Sequence, residues 1–465
     1  MSGDYQEFVS RKLSRHVPTG MASVPRLHKG LFPFQRDLVG WALRRGRCAI
    51  FADTGLGKTR MQLEWARHVA KHTGSRVLVL APLAVAAQTV AEGKSMGLAV
   101  TLCRDGSEMH DGVNITNYDR IHRFSPDGLG GLVLDESSII KHHTAKTLGL
   151  MLEFGARIPF RLAATATPAP NDYTELGTHA EFLGICTRPE MLAEYFCHDG
   201  GETQVWRLKG HARALFWRWV ASWAALMRKP SDLGYDDGGY ALPPLKIHQR
   251  IIAADVETTK ASGMLFAVEA TDLMERRAAR RASIAQRVAE CAALVNSTPG
   301  PWVVWCDLNA ESDALTAAID GAIEVRGSMD TDEKEAALVA FSRGDHRVIV
   351  TKSSIAGFGL NWQHCANVAF VGVTDSWEAY YQAVRRCWRF GQKSPVNVHI
   401  FASEVEGSIV RNIERKERDA LAMAEELAAE TRDVVREEVR GQTRTTNTYE
   451  PGVDQSVPAW IQEGP

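Results

Sequence analysis

The chain has 465 residues, of which 45% are hydrophobic and 24% are charged, and its formal net charge is −2. This length gives room for two or three domains at about 150 residues each, and the composition is ordinary for a globular protein. No stretch reaches the roughly 18 apolar residues that a membrane-spanning helix needs, and residues 1–17 carry charges where a secretory signal has an apolar segment. We therefore expect a cytoplasmic protein that does not contact a membrane. Because the net charge is nearly neutral, any nucleic-acid binding must rest on a local surface.

The eight cysteines form no Cys-x-x-Cys pair. This spacing argues against a zinc ribbon and against a disulfide framework, and it favours scattered reduced thiols. Cysteine and histidine are adjacent at Cys197-His198 and at His364-Cys365, but neither pair has a second pair at metal-site spacing. We interpret both pairs as structural.

The first predicted element is a helix that contains Phe34-Gln35 and lies upstream of an apolar strand, Cys48–Phe51. A glutamine amide offers a hydrogen-bond donor and an acceptor, which matches the edge of an adenine ring. Gln35 is therefore a candidate contact to the base of a nucleotide.

The strand leads into a P-loop pattern, Ala52–Thr59 (ADTGLGKT), which is followed by a helical pattern over Arg60–Ala70. In this context, backbone N–H groups close around phosphate oxygens at the N-terminus of a helix. Lys58 would reach the β- and γ-phosphates of ATP, and the Thr59 hydroxyl would ligate Mg²⁺. Ala52 stands where the general pattern has glycine. The predicted phosphate-binding residues are Thr54, Gly55, Gly57, Lys58 and Thr59.

Two more apolar runs, Val77–Leu80 and Leu132–Leu134, are typical of strands buried on both faces of a parallel sheet. Asp135 and Glu136 follow the second run directly, so both carboxylates would emerge at the C-terminal end of a strand, where ligands bind in α/β proteins. Asp135 would hold Mg²⁺, and Glu136 would orient or deprotonate the attacking water. These two residues complete the predicted ATP site.

An aromatic-rich stretch over residues 211–229 lies between the two halves of the chain. Its apolar residues at helical spacing predict a helix, and they are Leu215, Trp219, Trp223 and Leu226. Nucleic-acid bases can stack on tryptophans, although a stripe of this kind more often packs in a core. Residues 231–244 are rich in Gly, Asp and Pro, which is typical of a linker.

The alternation of apolar runs and helical patterns restarts with three further predicted strands, Trp302–Trp305, Val348–Val350 and Val368–Val371. The economical interpretation is a second α/β unit. Residues 275–287 contain a cluster of arginines, namely Arg276, Arg277, Arg280, Arg281 and Arg287. Three of them, at 277, 280 and 281, share a helical face, which is either a basic patch for nucleic acid or a solvated surface. Residues 406–440 have a charged helical pattern, and a weakly ordered tail follows.

In chain order, these segments resemble the Swi/Snf-like translocases of helicase superfamily 2 over roughly residues 31 to 410. In the first half, the resemblance is carried by Leu31–Gln35 with Trp41, Leu80–Leu83, Ile115–Tyr118, Asp135–Ser138, Thr165–Pro168 with Asn171, and Leu226–Pro230 with Leu242–Pro244. In the second half, it is carried by Trp302–Leu308, Arg326–Ser328, Phe341, Ala356–Asn361 and Gln382–Gln392. Ser138 stands where many relatives have a histidine that couples hydrolysis to the DNA site, so we expect other residues to provide this coupling here.

The segment Gln382–Gln392 (QAVRRCWRFGQ) closely resembles motif VI of that family. Gln382, Arg386 and Arg389 are spaced at i, i+4 and i+7, which predicts that they share one face of a helix. Two guanidinium groups that project across a cleft can stabilise charge on a transferring phosphoryl group, and an arginine finger accelerates transfer by about 10³–10⁵-fold. The predicted catalytic residues are Lys58, Glu136, Arg386 and Arg389.

The resemblance implies an α/β fold of two tandem RecA-like lobes with a C-terminal helical extension. The expected divisions are residues 1–242 for the ATP-binding lobe, 243–405 for the lobe with the arginine fingers, and 406–465 for a helical brace and tail. By the same resemblance, nucleotide contacts are expected from Gly359, Asn361 and Gln382. Phosphate contacts to DNA are expected from Pro82, Asn117, Thr351 and Ser353.

The resemblance also implies a nucleic-acid-stimulated ATPase that moves along DNA, with duplex DNA as the expected track. The short spacers between motifs resemble those of minimal motors from bacteria or their phages, which we expect to act as monomers, with any protein partner left open. One alternative is a strand-separating DNA helicase, for which the sequence has no evident wedge element. A second is a non-catalytic DNA-binding assembly factor with a vestigial ATP site, which the intact Lys58, Glu136 and Arg386 argue against.

Overall fold

A computed structural model describes residues 18–82, 85–141, 145–169, 172–199, 202–240, 242–252, 281, 283–356, 360–372 and 376–403, together with helical residues between 415 and 439. These residues form two parallel sheets flanked by helices and one two-stranded hairpin. This is the predicted α/β architecture of two RecA-like lobes. Within the described ranges, no helix is long and apolar enough to cross a membrane.

The strands of the first half are β1 (Arg47–Ala52), β2 (Arg76–Ala81), β3 (Val100–Leu102), β4 (Val113–Asn117), β5 (Leu129–Asp135), β6 (Phe160–Thr165), β7 (Phe196–Asp199), β8 (Glu202–Leu208) and β9 (Ala224–Met227). Seven of them form a sheet in the order β3-β4-β2-β5-β6-β1-β9, in which every neighbouring pair is parallel. The strands β7 and β8 form a separate antiparallel hairpin. The central strands are buried on both faces, which explains why the sequence shows continuous apolar runs there.

The helices of the first half are α1 (Pro33–Arg45), α2 (Lys58–Thr73), α3 (Ala86–Ser95), α4 (Ala145–Ala156), α5 (Leu176–Leu183), α6 (Arg188–Tyr195) and α7 (Arg213–Trp223). Short 3-10 helices lie at Gly106–Glu108, Tyr118–Arg123, Ser137–Lys141, Tyr173–Glu175, Gly210–Ala212 and Pro230–Leu233. Apolar side chains form two clusters, and alternate residues of β1 belong to different ones, with Ile50 in one cluster and Phe51 in the other. This alternation places one cluster on each face of the sheet.

The aromatic-rich stretch does not form the single helix that its spacing predicts. The helix α7 ends at Trp223, and the next four residues form β9, which pairs with β1. Trp223 and Leu226 are buried as expected, but Leu215 is 43% exposed. The buried face of the helix instead contains Phe216 and Trp217. Because β9 is buried throughout, helical spacing and a buried strand could not be told apart at Leu226.

The second half has the strands β10 (Leu245–Ile252), β11 (Trp302–Cys306), β12 (Ala322–Val325), β13 (Val348–Lys352), β14 (Asn367–Val371) and β15 (Val396–Ser403). They form a parallel sheet in the order β10-β15-β14-β11-β13-β12. Its helices are α8 (Ile284–Ser297), α9 (Asn309–Ala318), α10 (Thr331–Arg343), α11 (Ser353–Ala356) and α12 (Trp377–Val384). Each strand predicted in this half is confirmed.

A buried ion pair joins α8 to the start of α9. Arg287 NH1 donates to Glu311 Oε1 at 2.8 Å, and Glu311 Oε2 accepts two backbone N–H groups at 2.9 and 3.0 Å. Arg287, the last arginine of the predicted cluster, is fully buried and therefore adds no charge to an exposed surface. Arg281 is exposed, and the other three arginines of that cluster lie outside the described residues.

The described residues between 415 and 439 are helical, as predicted, and pack against the first half of the chain. Val435 and Val439 join one of the apolar clusters of the first sheet. Arg436 donates to the backbone oxygens of Ser231 and Asp232, both at 2.8 Å. The chain therefore returns to the first lobe after completing the second, and the predicted tail after 440 lies outside the described residues.

Candidate active site

The P-loop connects β1 to α2, as the sequence predicts. Gly55 (φ 93°) and Gly57 (φ 78°) adopt the left-handed conformation, which glycine tolerates because it lacks a Cβ. Lys58 is the first residue of α2, and its Nζ donates to the backbone oxygens of Ala52 at 2.8 Å and Asp53 at 3.4 Å. The lysine therefore lies folded over its own loop.

Gln35 bonds to the P-loop from α1. Its Oε1 accepts from the Phe32 N–H at 2.9 Å, and its Nε2 donates to the backbone oxygen of Leu56 at 2.8 Å. A Cβ at Gly57 would collide with this Nε2, so the contact requires glycine there. Gln35 thus anchors the loop to α1. The contact between Gln35 and adenine stays a prediction, and it would require the Gln35 amide to release Phe32 and Leu56 in favour of the base.

Asp135 and Glu136 lie at the C-terminal end of β5, beside the P-loop helix. Asp135 Oδ1 accepts from Gln62 Nε2 at 2.7 Å, and Gln62 lies on α2 one turn after Thr59. Glu136 Oε2 accepts from Thr165 Oγ1 at 3.2 Å. Glu136 also has φ 51°, an energetically costly conformation for a residue with a side chain. Such strained residues cluster at functional sites, which supports a functional role for this carboxylate.

The charges of this site perturb one another. Burial raises the pKa of Asp135 to about 6, the neighbouring Glu136 carboxylate also raises it, and the hydrogen bond from Gln62 opposes the change. Burial lowers the pKa of Lys58, while the carboxylates of Glu136, Asp53 and Asp135 act in the opposite direction. Perturbed titrating groups that gather in this way are common at active sites.

A series of hydrogen bonds leads from Glu136 to the second half of the chain. Thr165 Oγ1, which donates to Glu136, accepts from the Thr167 N–H at 3.2 Å. Thr167 Oγ1 donates to Glu378 Oε1 at 3.1 Å and accepts from Gln382 Nε2 at 3.5 Å. Because Glu378 and Gln382 lie on α12, these bonds connect the end of β6 to the second lobe.

Arg386 and Arg389 converge on one backbone oxygen. The NH1 groups of both residues donate to the Leu360 oxygen, at 3.1 and 3.0 Å. Arg386 also donates to the backbone oxygen of Gln382 at 2.9 Å and to its Oε1 at 2.8 Å. The helix α12 ends at Val384, so both arginines lie in the turns that follow it. The prediction that they share a helical face with Gln382 is therefore wrong, and the turns bring them together instead.

Positive charge accumulates where these arginines lie. Burial lowers the pKa of Arg386 to about 10 and that of Arg389 to about 9. For Arg389, the guanidinium groups of Arg386 and Arg385 add to the effect, and the Glu136 carboxylate opposes it. Both groups stay charged at neutral pH. Crowded cations of this kind favour a bound anion such as a phosphoryl group.

A third arginine of this segment, Arg385, contacts the P-loop directly. Its NH2 donates to Asp53 Oδ1 at 2.7 Å and to the Thr54 backbone oxygen at 3.1 Å. The Tyr381 hydroxyl donates to the same Asp53 oxygen at 2.9 Å. The sequence analysis did not predict these contacts. The signal that could have indicated them is the presence of Asp53 in the P-loop together with Arg385, a third arginine in the segment Gln382–Gln392.

Aromatic rings join the two lobes beside this contact. The rings of Phe390 and Tyr240 stack with their centroids 4.6 Å apart, and Tyr240 packs edge-on against Phe34 at 5.6 Å. A Cβ at Gly55 would lie 2.9 Å from the backbone nitrogen and the Cβ of Phe390. The P-loop and the turn after α12 are therefore in van der Waals contact.

The oxygen atoms near the P-loop fit a magnesium ion. Mg²⁺ is usually held by one or two protein oxygens together with phosphate oxygens and water, which matches the hydroxyl of Thr59 and the carboxylate of Asp135. A divalent cation would favour the ionised form of Asp135 against the effect of burial. The Thr54 hydroxyl is buried with no hydrogen-bond partner in the described part of the chain, and Thr54 belongs to the loop that is predicted to hold phosphate.

The four predicted DNA contacts lie at or next to the C-terminal ends of strands in the two sheets, and they are Pro82, Asn117, Thr351 and Ser353. The Asn117 side chain accepts from the Arg120 N–H at 3.2 Å and so caps the 3-10 helix that follows β4. Thr351 is fully buried, and its hydroxyl donates to the Val325 oxygen at 2.8 Å. Its side chain is therefore part of the core, whereas Ser353 is partly exposed.

The acidic segment is contacted by a histidine from another element. The Ser137 hydroxyl lies 3.0 Å from Nε2 of His179 on α5, and His179 also packs edge-on against Phe51. Ser138 is buried. Of the remaining predicted nucleotide contacts, Asn361 accepts through Oδ1 from a backbone N–H at 3.4 Å, and Gly359 lies outside the described residues. All eight cysteines are free thiols, as predicted.

One protein family matches the second half of this site. Residues 290–391 match the helicase conserved C-terminal domain, and this segment includes Gln382, Arg386 and Arg389. No curated protein matches the chain. Such a domain is typical of nucleotide-dependent motors that act on nucleic acid. With the two parallel sheets, this match supports the assignment of the chain as a helicase-type protein of superfamily 2.

Proposed function

We propose that this chain is a Swi/Snf-like DNA translocase that hydrolyses ATP between two RecA-like lobes and moves along duplex DNA. We also propose that it is a minimal motor of the bacterial or phage type and works as a monomer. The observation that supports the proposal most directly is the arrangement around the P-loop. Lys58 and the Asp135–Glu136 pair face this loop from the first lobe, and Arg386 and Arg389 lie across from them in the second. Phosphoryl transfer depends mainly on such positioning and charge stabilisation.

Each residue of the first lobe has a distinct role in this proposal. Lys58 exchanges the backbone oxygens that it now contacts for the β- and γ-phosphates of ATP. Glu136 orients the attacking water and accepts its proton, and Thr165 holds the Glu136 carboxylate in place. Thr59 and Asp135 hold Mg²⁺, which supplies positive charge to the phosphate oxygens when it is bound.

The second lobe supplies the arginine fingers. A guanidinium group has five N–H donors, so Arg386 and Arg389 keep donors free for a phosphoryl group while they contact Leu360. The γ-phosphate then bonds to both lobes and holds the cleft closed. Hydrolysis removes this bridge and shifts the cleft towards its open state.

Movement along DNA requires that the ATP site and the DNA surface are connected. The hydrogen bonds through Thr165 and Thr167 to α12 support such a connection. If Pro82, Asn117 and Ser353 hold phosphates of the DNA backbone, each lobe grips the track without reading its sequence. Alternate opening and closing with different grip in each state then moves the protein forward.

The decisive experiment compares ATP turnover by the full chain without nucleic acid and with single-stranded DNA, duplex DNA or RNA. Lys58→Ala and Glu136→Gln test the site, and Arg343→Gln is the matched control because Arg343 pairs with Asp345 on an exposed helix end. We expect duplex DNA to stimulate turnover, both site variants to lose it, and the control to keep it. Equal turnover under all four conditions would contradict the motor, and no turnover at all would favour the assembly factor.

The hairpin β7–β8 favours strand separation as a second candidate function. It carries two adjacent ring side chains, the exposed His198 and the partly exposed Trp206, whose centroids lie 3.9 Å apart with their planes tilted by 37°. Flat rings on a hairpin can support an unstacked base. Unwinding of a forked duplex that is lost in Trp206→Ala, with ATP turnover intact, would favour the helicase. Displacement of a triplex strand without duplex unwinding would favour the translocase.

A further inference from the structure

The second lobe contacts the P-loop through Tyr381 and Arg385, which are not among the predicted nucleotide-binding residues. Asp53 Oδ1 accepts from the Thr54 N–H at 2.6 Å, from the Tyr381 hydroxyl at 2.9 Å and from Arg385 NH2 at 2.7 Å. Arg385 also donates to the Thr54 oxygen at 3.1 Å. One carboxylate oxygen of the first lobe therefore collects two donors from the second lobe and one from its own loop.

Burial and neighbouring aromatic rings hold the Arg385 side chain at this contact. Its side chain is only 4% exposed, whereas that of Asp53 is 22% exposed. Its guanidinium carbon lies 5.1 Å from the ring centroid of Trp388 and 5.6 Å from that of Tyr381, both within cation–π range. Trp388 is itself fixed, because its Nε1 donates to the Pro243 oxygen at 2.7 Å. Side-chain packing and donation from one nitrogen, NH2, to two P-loop oxygens hold Arg385 on the P-loop.

Electrostatics explains why such a contact is useful. The positive charge of Arg389 perturbs Lys58, and Arg386 and Arg389 perturb each other, so these like charges oppose closure of the lobes. Arg385 would add a further cation, but the Asp53 carboxylate neutralises it at hydrogen-bond distance. An ion pair in this partly desolvated position therefore favours the closed arrangement before any phosphate neutralises the other cations.

We propose that Asp53, Tyr381 and Arg385 form a clasp that docks the second lobe on the P-loop independently of nucleotide, which makes Arg385 a positioning residue for ATP hydrolysis. The part that concerns hydrolysis rests on the proposed function, whereas the docking itself does not. The clasp sets the distance from which Arg386 and Arg389 reach the γ-phosphate. It differs from an arginine finger because Arg385 bonds to protein oxygens and leaves the phosphates to its neighbours.

The direct test is small-angle X-ray scattering of the full chain without nucleotide. The variants are Asp53→Asn, Arg385→Gln and the double variant, with Arg343→Gln as a control that removes the same charge from an exposed pair. We expect each single variant to increase the radius of gyration, because losing a charge-assisted contact shifts the closed-to-open ratio by about tenfold. The double variant should expand no further than either single one, and the control should match the wild type. Wild-type scattering from all clasp variants would overturn the proposal.

Kinetics of the same variants separates positioning from catalysis. A ligand that binds the closed form loses apparent affinity in proportion to the closed fraction, so KM for ATP should rise, by at most about tenfold, as the closed fraction falls. Saturating ATP should restore closure and keep kcat within about twofold of wild type. A fall in kcat with unchanged KM and unchanged scattering would overturn the clasp in favour of a finger role. If the wild type hydrolyses no ATP, the proposed function fails, but the scattering still tests the docking. If Arg385→Gln does not fold, Asp53→Asn carries the test alone.

Discussion

Replacing Arg386 with alanine should abolish hydrolysis while nucleotide binding persists. An arginine finger contributes about 10³–10⁵ in rate, so we expect turnover to fall at least about 10³-fold, which equals about 4 kcal/mol in the barrier. Lys58, Asp135 and Thr59 stay in place in this variant, so the affinity for ATP should change much less. Arg386→Lys should be almost as slow, because an ammonium group lacks the planar set of donors.

The same substitution also has a structural cost, which can be worked out from its contacts. Arg386 is 1% exposed and donates to the Leu360 oxygen and to Oε1 of Gln382, both in the interior. Leaving a buried acceptor without its donor costs about 1–3 kcal/mol, and the Leu360 oxygen keeps a second donor from Arg389. We therefore expect a loss of about 2–4 kcal/mol in the free energy of unfolding. A domain with about 5–15 kcal/mol to begin with stays folded under these conditions.

Three measurements keep the two effects apart. Urea denaturation gives the stability of Arg386→Ala, titration with a fluorescent ATP analogue gives its affinity, and single-turnover hydrolysis at saturating ATP gives the chemical step. Arg343→Ala should leave all three unchanged, since Arg343 is exposed. Full hydrolysis by Arg386→Ala would refute the finger assignment. Loss of nucleotide affinity in parallel with stability would reduce Arg386 to a structural residue.

Three further predictions concern the P-loop contact and the second lobe. Gly55→Ala places a Cβ 2.9 Å from Phe390 at φ 93°, so it should push the lobes apart and raise KM for ATP about tenfold in a turnover titration. Glu311→Ala leaves Arg287 buried without its carboxylate and should cost about 3–5 kcal/mol in urea denaturation, whereas replacing both residues with apolar ones should cost far less. Burial lowers the pKa of His399 to about 4, below its value near 6.5 in the unfolded chain, so its contribution to stability should be lost as pH falls from 6.5 through 4. Thermal unfolding of His399→Phe should depend less on pH over that window, and an unchanged slope would contradict this assignment.

The first lobe was predictable because its chemistry is local. A glycine-rich loop between a strand and a helix specifies a phosphate cradle within eight residues, Ala52–Thr59. Asp135 and Glu136 were equally predictable, since the ends of parallel strands meet at one edge of a sheet. The P-loop residues are neighbours in sequence, whereas Asp135 reaches the P-loop helix because β5 and β1 belong to one parallel sheet.

The second lobe was less predictable because its contacts depend on where α12 ends. Helical spacing grouped Arg386 with Gln382, but the helix stops at Val384, and the turn that follows directs Arg385 to the P-loop. Arg287 looked like a surface charge because its partner, Glu311, lies 24 residues away. Sequence patterns report which residues are apolar or charged, whereas these pairings arise from long-range packing.

The helical residues described between 415 and 439 have a consequence for the movement of the second lobe. Their packing on the first lobe through Val435 and Arg436 means that the chain crosses between the lobes twice, once before Leu245 and once after Ser403. The second lobe is thus covalently connected to the first lobe at both of its ends. Two covalent connections limit how far the second lobe can move away from the first. In the proposed motor, cutting either connection would widen the range of lobe movement without changing a residue of the ATP site.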